Sequence, residues 1–335
     1  MALVAHSELP AFEALRREGR AVMTPDQLAS SGLPQLSIGL LNLMPDAALT
    51  ATDRQFARLV SSYADSADLW VYPFTAAVSH RSDVAREHMN NHYLTFDEVR
   101  QRGLDALIVT GANPACQDLA DEVFWKEMVE VFDWAGENVR SVLCSCLATH
   151  GVLKEYNATE RTLLPRKRWG VYSHEILVED HPLVHGLKEP VDAPHSHNYD
   201  VSKQEFEAAG AKVLAESDEA GVHMAVSDDN FYVFFQGHPE YEAVSLLKEY
   251  KREVGRYFQA ERDDFPPYPE NYFDSESLAL LARYREELIS AKDAAEEPPP
   301  FPETSVVPQV KNTWTPAGET IYHNWLEQVA FGNRG

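Results

Sequence analysis

Continuous apolar runs alternate with amphipathic segments over the first half of the chain. Runs of strand length predict buried strands at 36–43, 69–74, 106–110 and 141–145. Between them, apolar residues at helical spacing predict helices over 50–63 and 122–137. Buried strands that alternate with helices form a parallel sheet covered on both faces. The pattern therefore predicts an α/β fold for this half.

The pattern changes after Tyr156, where short strands follow one another closely. These strands are predicted at 170–173, 175–178, 212–215, 222–226 and 231–236. We expect them to form a mixed or antiparallel extension of the same sheet. Further helices are predicted over 244–258, 277–294 and 321–331.

No internal repeat or clean boundary divides the chain into independent domains. Residues 1–35 are expected to form an irregular N-terminal arm with one short helix over 11–18, and residues 36–335 a single domain. The polar segment 76–95 is expected to be a loop with a short helix. Proline-rich composition predicts a loop at 261–274 and a linker-like segment at 296–308.

The composition excludes several classes of partner. With 44% hydrophobic and 24% charged residues among 335, the chain can bury a sizeable core. A net charge of -24 argues against nucleic acid or an anionic membrane as a partner. No apolar run approaches the roughly 18 residues of a membrane span. Few cysteines and no secretory signal predict a reducing cytoplasm.

The strand at 141–145 leads directly into a candidate nucleophile, Cys146. A strand that turns sharply into a helix can expose one side chain at the turn, provided that small residues lie two positions before and after it. Cys144 and Ala148 stand at those positions. The helix N-terminus favours a thiolate there. A buried thiol in a core strand is the competing interpretation, and this segment alone favours neither.

A nucleophilic cysteine needs a base, and the base needs a group that orients it. Of thirteen histidines, His238 is distinguished because it follows an apolar strand that ends at Gly237. Glu240 comes two residues later, after the turn that Pro239 forces. Its carboxylate can accept the imidazole proton and fix the tautomer. A surface turn with an unrelated histidine and glutamate is the alternative.

Four cations stand within eight residues: Arg161, Arg166, Lys167 and Arg168. Such a cluster is either a solvated charged face or an anion site for a carboxylate or phosphate. His195 and His197 form a His-x-His pattern, but two histidines do not complete a metal site, so no metal is expected. Cys116 is expected to be a packed thiol.

These residues together resemble homoserine O-acyltransferases of the class I glutamine amidotransferase-like fold, usually called homoserine O-succinyltransferases. The matching segments extend over most of the chain and are 9–11, 16–18, 41–45, 87–93, 107–112, 237–241 and 324–326. The combination is specific, whereas the His-Pro-Glu segment alone is shared with amidotransferases. The resemblance implies one amidotransferase-like catalytic domain with a flavodoxin-like α/β fold: a mostly parallel sheet, helices on both faces and a mixed or antiparallel extension.

The resemblance also implies a reaction and the residues that carry it. In such enzymes the elbow cysteine takes the acyl group of an acyl-CoA as a thioester, and the hydroxyl of L-homoserine then attacks it. The implied catalytic residues are Cys146 as nucleophile, His238 as proton acceptor and Glu240 as its orienter. The implied substrate-binding residues are Lys167, Ser196 and Arg252. The expected oxyanion donors are the backbone N–H groups of Leu147 and Ala112.

Ala115 stands at the position that tunes the acyl donor in this family, where glycine goes with succinyl and glutamate with acetyl donors. Alanine does not repel a second carboxylate, so succinyl-CoA is the expected donor, with acetyl-CoA as the alternative. His197 and Asn198 follow Ser196 where arginine and tyrosine are common, which leaves serine open as an acceptor beside homoserine. Residues 260–305 are expected to be an insertion that serves as a lid or a subunit contact.

The resemblance implies a cytoplasmic enzyme, expected to be a homodimer, in methionine biosynthesis with no cofactor beyond the acyl-CoA co-substrate. Two other classes compete with this interpretation. A glutamine amidotransferase or hydrolase would use the same Cys-His-Glu arrangement, but the chain has no evident synthase domain to use the ammonia. A non-catalytic binding protein would not need the intact arrangement.

Overall fold

The computed structural model describes residues 2–28, 32–75 and 81–332, which form an eleven-stranded sheet flanked by helices. The strands are β1 Leu3–Val4, β2 Val22–Met23, β3 Gln35–Leu41, β4 Asp68–Phe74, β5 Ala106–Val109, β6 Ser141–Ser145, β7 Thr162–Ile176, β8 Val191–Asp200, β9 Ala211–Ser217, β10 Gly221–Ser227 and β11 Tyr232–Phe235. The helices are α1 Pro10–Arg17, α2 Pro25–Leu28, α3 Leu49–Val60, α4 Asp83–His92, α5 Phe96–Arg102, α6 Trp125–Asn138, α7 Leu147–Asn157, α8 Lys203–Ala208, α9 Ser245–Phe258, α10 Ser275–Asp293, α11 Glu303–Val306 and α12 Thr315–Phe331. In the described residues no helix is both long and apolar enough to cross a membrane.

The strands lie in the order β2-β1-β4-β3-β5-β6-β11-β10-β9-β7-β8. From β2 to β11 all neighbours are parallel, and from β11 to β8 all are antiparallel. The predicted α/β fold, with a mostly parallel sheet and an antiparallel extension, is confirmed. Because β5, β6 and β11 are adjacent and parallel, the residues that follow them meet at one edge of the sheet.

The sheet buries both faces, which explains the continuous apolar runs of its central strands. Along β5, Ala106 and Ile108 pack with residues of α3 and α12, whereas Leu107 and Val109 pack with residues of α6 and α7. A third apolar cluster lies beside β7 and is rich in aromatic side chains. It joins α9 to α10, so most of the segment at 260–305 packs against the helix that follows His238.

Several expectations about local structure are wrong, and each has a physical reason. The N-terminal arm contains α1 but is not otherwise irregular, because β1 pairs in parallel with β2 and β4. Two-residue strands are too short to give a periodic signal. The helix predicted within 76–95 is α4, while residues 76–80 lie outside the described residues. The helix α5, which follows it, was not predicted.

The long hairpin of β7 and β8 also differs from the prediction. One strand replaces the two predicted at 170–173 and 175–178, and β8 occupies a segment for which no strand was predicted. Charged side chains interrupt the alternation along β7, which hides its length. The linker-like segment 296–308 contains α11, and α12 begins at Thr315, before the predicted start.

Candidate active site

Cys146 lies at the turn between β6 and α7, with φ 50° and ψ -105°. Such a conformation costs a non-glycine residue roughly 1–3 kcal/mol and persists only where the surroundings hold it. The Cys146 N–H donates to the carbonyl oxygen of Phe235 at 2.7 Å, which ties the turn to β11. Cys144 and Ala148 are fully buried, whereas Cys146 is only half-buried. The interpretation of Cys146 as a buried core thiol is therefore wrong.

The structure brings His238 and Glu240 to the same edge, because Ser145 of β6 pairs with Phe235 of β11. Nδ1 of His238 lies 2.7 Å from Oε1 of Glu240. A carboxylate can only accept, so Nδ1 carries the proton and Nε2 is left to act as the base. Nε2 is buried and makes no hydrogen bond with a described residue.

The charge balance around His238 favours its protonated form. Burial lowers the pKa of His238, but the Glu240 carboxylate and the Cys146 side chain both raise it, and the net shift is upward. Cys146 directly follows Ser145, which pairs with Phe235 of the neighbouring strand, so the thiol and the imidazole stand at the same edge of the sheet. An imidazole that accepts a thiol proton and keeps it as an imidazolium is the arrangement of an activated cysteine.

Neighbouring groups fix the His238 ring in place. Its backbone N–H donates to the carbonyl oxygen of Pro194 at 2.7 Å, and the Tyr241 ring stacks on the imidazole with centroids 4.4 Å apart. Ser145 Oγ lies 3.4 Å from Oε1 of Glu240, so the orienting carboxylate has a second, longer contact. The base is therefore held by its backbone, its ring face and its Nδ1 proton.

The turn after β5 lies directly beside the elbow. A Cβ atom on Gly111 would lie 3.6 Å from Cβ of Cys146, and the Thr110 hydroxyl donates to the Gly111 carbonyl at 2.9 Å. Leu147 is the first residue of α7, where a helix offers no internal acceptor for the backbone N–H. Leu147 directly follows Cys146 and Ala112 directly follows Gly111, and the role of their N–H groups as oxyanion donors stays a prediction.

Lys167 and Ser196 converge on one buried carboxylate, Glu249 of α9. Lys167 Nζ lies 3.2 Å and Ser196 Oγ 2.6 Å from Oε2, and the Tyr241 hydroxyl donates to Oε1 at 2.7 Å. Burial raises the pKa of Glu249, but Lys167 and the two hydroxyl donors lower it, and the net shift is downward. Glu249 is thus a largely buried anion that binds Tyr241, whose ring stacks on His238.

The structure does not bring Arg252 or Ala115 into contact with these groups. Arg252 lies one helical turn after Glu249, is 56% exposed, and donates from Nε to Glu253 at 3.3 Å. Ala115 is exposed in the loop after β5. Cys116, which was expected to be packed, is half-buried in this loop, and its thiol lies 3.7 Å from the Asp121 carbonyl oxygen.

The family model described as homoserine O-succinyltransferase matches residues 2–333. The chain belongs to the homoserine O-succinyltransferase family. The prediction of this family is confirmed.

Relatives of similar length support the assignment. The homoserine O-succinyltransferase of Methylococcus capsulatus is 49% identical over 330 residues, which cover 98% of this chain and 93% of the relative. That of Allochromatium vinosum is 49% identical over 327 residues, or 97% and 92% of the two chains. Among solved structures, a glutamine amido transferase from Methylobacillus flagellatus superimposes with a TM-score of 0.47 at 13% identity, over 88% of this chain and 95% of that one.

This family member carries a chain of buried histidines beneath its active site. His195 Nδ1 lies 3.0 Å from His197 Nε2, and His195 Nε2 lies 3.1 Å from His174 Nε2. The chain ends on the carbonyl oxygens of Val191 and Tyr199, at 3.1 Å and 2.6 Å. Each of these four contacts needs one N–H hydrogen, because the carbonyl oxygens at the two ends can only accept. Three neutral imidazoles together carry only three N–H hydrogens. One contact therefore lacks a hydrogen while all three rings are neutral.

Burial keeps these rings neutral at neutral pH. It lowers the pKa of His174 to about 4 and that of His197 to about 3, and it lowers the pKa of His195 well below its usual value. Among the described residues no group of three or more histidine, cysteine, aspartate and glutamate side chains could hold a metal ion. The pair His195 and His197 instead makes part of a hydrogen-bonded chain.

Gly237 lies between this histidine chain and His238. A Cβ atom at Gly237 would lie 2.6 Å from Nδ1 of His223 and 2.8 Å from Nε2 of His195. No side chain fits there without displacing an imidazole. The residue before His238 is therefore glycine because two buried rings approach its backbone.

Inspection of the sequence missed Glu249 and Tyr241 as members of the site. Glu249 stands on a polar helix in which several acidic residues look alike, and its burial depends on β7 and β8, which lie far away in sequence. Tyr241 directly follows Glu240, and an aromatic residue at that place gives no signal of its own. Only the tertiary arrangement identifies them.

Proposed function

We propose that the protein is a homoserine O-succinyltransferase that moves the succinyl group from succinyl-CoA to the hydroxyl of L-homoserine, in methionine biosynthesis. The observation that carries this proposal is the strained Cys146 turn beside His238, whose Nε2 is free and whose Nδ1 is held by Glu240. Membership of the family supports the choice of substrates.

In the first half-reaction, Sγ of Cys146 attacks the thioester carbonyl of succinyl-CoA while Nε2 of His238 takes the thiol proton. The bond between the carbonyl carbon and the CoA sulfur breaks, and the CoA thiolate takes the proton from His238. A succinyl thioester on Cys146 results. Glu240 stabilises the imidazolium that forms during this step, and the N–H groups of Leu147 and Ala112 donate hydrogen bonds to the oxyanion of the tetrahedral intermediate.

In the second half-reaction, the homoserine hydroxyl attacks the Cys146 thioester and gives its proton to His238. The carbon–sulfur bond breaks, O-succinyl-L-homoserine forms, and the proton returns to Cys146. The buried anionic Glu249 suits the α-ammonium group of homoserine, with Lys167 and Ser196 beside it. Arg252 would hold the carboxylate, which requires its exposed side chain to turn from Glu253 toward the site.

The proposal is tested by mass spectrometry of the protein incubated with succinyl-CoA alone. We expect a succinyl adduct on the peptide that contains Cys146, its loss when L-homoserine is added, and no adduct on C146A. Parallel incubations use acetyl-CoA as donor and L-serine as acceptor, and a preference for either corrects the assignment of substrate. Release of ammonia from L-glutamine without any succinyl-enzyme would overturn the proposal in favour of an amidotransferase.

We also propose a location, an oligomeric state and a domain organisation for the enzyme. It acts as a cytoplasmic homodimer, with 36–335 as one catalytic domain whose sheet the arm 1–35 extends through β1 and β2, and with 260–305 as a lid or subunit contact. Light scattering of the purified protein measures the oligomeric state. A monomer at assay concentrations would contradict that part of the proposal.

A further inference from the structure

The basic cluster near the start of β7 leaves one cation without a carboxylate. Three of its members are paired: Arg166 with Glu270 at 3.3 Å, Lys167 with Glu249 at 3.2 Å and Arg168 with Asp200 at 2.5 Å. Arg161 makes no ion pair with any carboxylate in the described ranges. A half-buried guanidinium without a counter-ion destabilises the fold unless an anion binds to it.

Contacts on one edge and one face hold the Arg161 guanidinium in place. Nη2 donates to the carbonyl oxygens of Cys116 and Gln117 at 2.9 Å and 3.0 Å, and the guanidinium carbon lies 3.8 Å from the centroid of the Tyr199 ring. Nε is buried and has no hydrogen-bond partner among the residues that the structure describes. The group is therefore fixed in orientation while a buried donor stays unused.

The two carboxylates whose charges raise the pKa of Arg161, Asp118 and Glu122, already have other partners. Asp118 Oδ1 lies 3.1 Å from Lys154 Nζ, and Glu122 Oε1 accepts the backbone N–H of Cys116 at 2.5 Å. Both interact with Arg161 only from beyond ion-pair distance. The unused donor therefore points to an anion that comes from outside the chain.

Arg161 contacts the loop that begins beside Cys146. Its charge interacts with the side chain of Cys146, and its two carbonyl acceptors belong to the loop that carries Ala115. The same loop begins at Gly111, which approaches Cys146 closely. An acyl chain on Cys146 that extends along this loop would bring its far end to the guanidinium.

We propose that Arg161 binds the free carboxylate of the succinyl group and so selects an acyl donor that carries a terminal negative charge. The inference rests on the proposed function and deepens it. A guanidinium recognises a carboxylate through charge-assisted hydrogen bonds, and Ala115 places no competing charge beside it. Acetyl and butyryl groups have no carboxylate and would gain nothing from Arg161.

The test is steady-state kinetics of R161Q with succinyl-CoA, acetyl-CoA and butyryl-CoA as donors. We expect kcat/KM for succinyl-CoA to fall by roughly tenfold to one-hundredfold, as for the loss of one charge-assisted hydrogen bond. The values for acetyl-CoA and butyryl-CoA, the KM for L-homoserine and inhibition by free CoA should not change. R166Q is the matched control, because Arg166 belongs to the same cluster but is 84% exposed.

Other outcomes overturn the inference. A raised KM for homoserine would place the amino acid's carboxylate on Arg161, and weaker inhibition by CoA would place a CoA phosphate there. An equal loss with every donor would mean a packing role. If R161Q does not fold, R161M, which keeps the aliphatic part of the side chain but removes the charge, reports the same ratio of succinyl to butyryl transfer, and a ratio equal to that of the wild type would overturn the inference. Wild-type protein that forms no succinyl-enzyme would instead refute the proposed function.

Discussion

Nδ1 of His238 and Oε1 of Glu240 lie 2.7 Å apart, and both side chains are buried. The pair fixes the tautomer of the base and stabilises its protonated form, since Glu240 raises the pKa of His238. Glutamine at position 240 would keep the shape of the side chain and remove its charge.

We therefore expect E240Q to lower kcat/KM by roughly 10²- to 10⁴-fold, the usual range for impaired general acid–base catalysis. Because the pKa of His238 falls without the carboxylate, the acid limb of the pH–rate profile should move to lower pH. Glu261 is 56% exposed, so E261Q serves as the control. An E240Q profile that overlays the wild-type profile would rule out the orienting role.

The meeting of Cys146 and His238 could be predicted from the sequence because each follows a strand that the apolar pattern reveals. Cys146 follows β6 and His238 follows β11, and adjacent parallel strands bring their ends together. Glu249 and Arg161 could not be predicted in this way. Their surroundings come from the hairpin of β7 and β8, whose charged positions hide the strands, and from pairing between segments far apart in sequence.

The carboxylate of Glu249 should stabilise the fold as well as bind the acceptor. E249Q leaves Lys167 without its counter-ion and weakens two hydroxyl contacts, so the free energy of unfolding should fall by about 1–3 kcal/mol. The KM for L-homoserine should rise more than the KM for succinyl-CoA. Urea unfolding and steady-state kinetics measure the two effects.

A double-mutant cycle with K167M isolates the ion pair. If Lys167 and Glu249 stabilise each other, the free energy of unfolding falls less in E249Q/K167M than the sum of its decreases in the two single variants. Additive losses would show that the two residues act independently.

Buried histidines should make the protein less stable in mild acid. Burial lowers the pKa of both His150 and His174 to about 4, below the ordinary 6.5 of an unfolded chain. Between those values the unfolded state binds protons that the folded state does not. Stability is therefore fully present above about pH 6.5 and falls as the pH drops toward 4, by about 3 kcal/mol for one such histidine.

His150 allows this effect to be isolated. It contacts the side chain of Gln236 at 3.0 Å, and glutamine can keep that hydrogen bond without titrating. Chemical unfolding of H150Q at a series of pH values should show a shallower acid loss than that of the wild type. His185 is exposed, so H185N should follow the wild-type curve. If the stability of H150Q fell with decreasing pH as steeply as that of the wild type, His150 would not be a source of the acid destabilisation.

Gly237 offers the sharpest test of the packing beneath the base. In G237A the new Cβ would meet imidazole atoms of His223 and His195 at 2.6 Å and 2.8 Å, and the Pro194 carbonyl oxygen at 3.1 Å. Overpacking of this kind costs about 1–3 kcal/mol. It would also shift the backbone of His238, so kcat should fall together with stability.

The matched control for G237A is G255A, in α9. Within the described residues, a Cβ atom at Gly255 would meet no atom closer than 4 Å. Replacing a glycine inside a helix by alanine should raise stability by roughly 0.5–1 kcal/mol, since alanine favours the helix. Thermal unfolding should therefore show that G237A is less stable and G255A more stable than the wild type. Only G237A should lose kcat. Equal stability of G237A and the wild type would mean that the imidazoles of His195 and His223 can move aside.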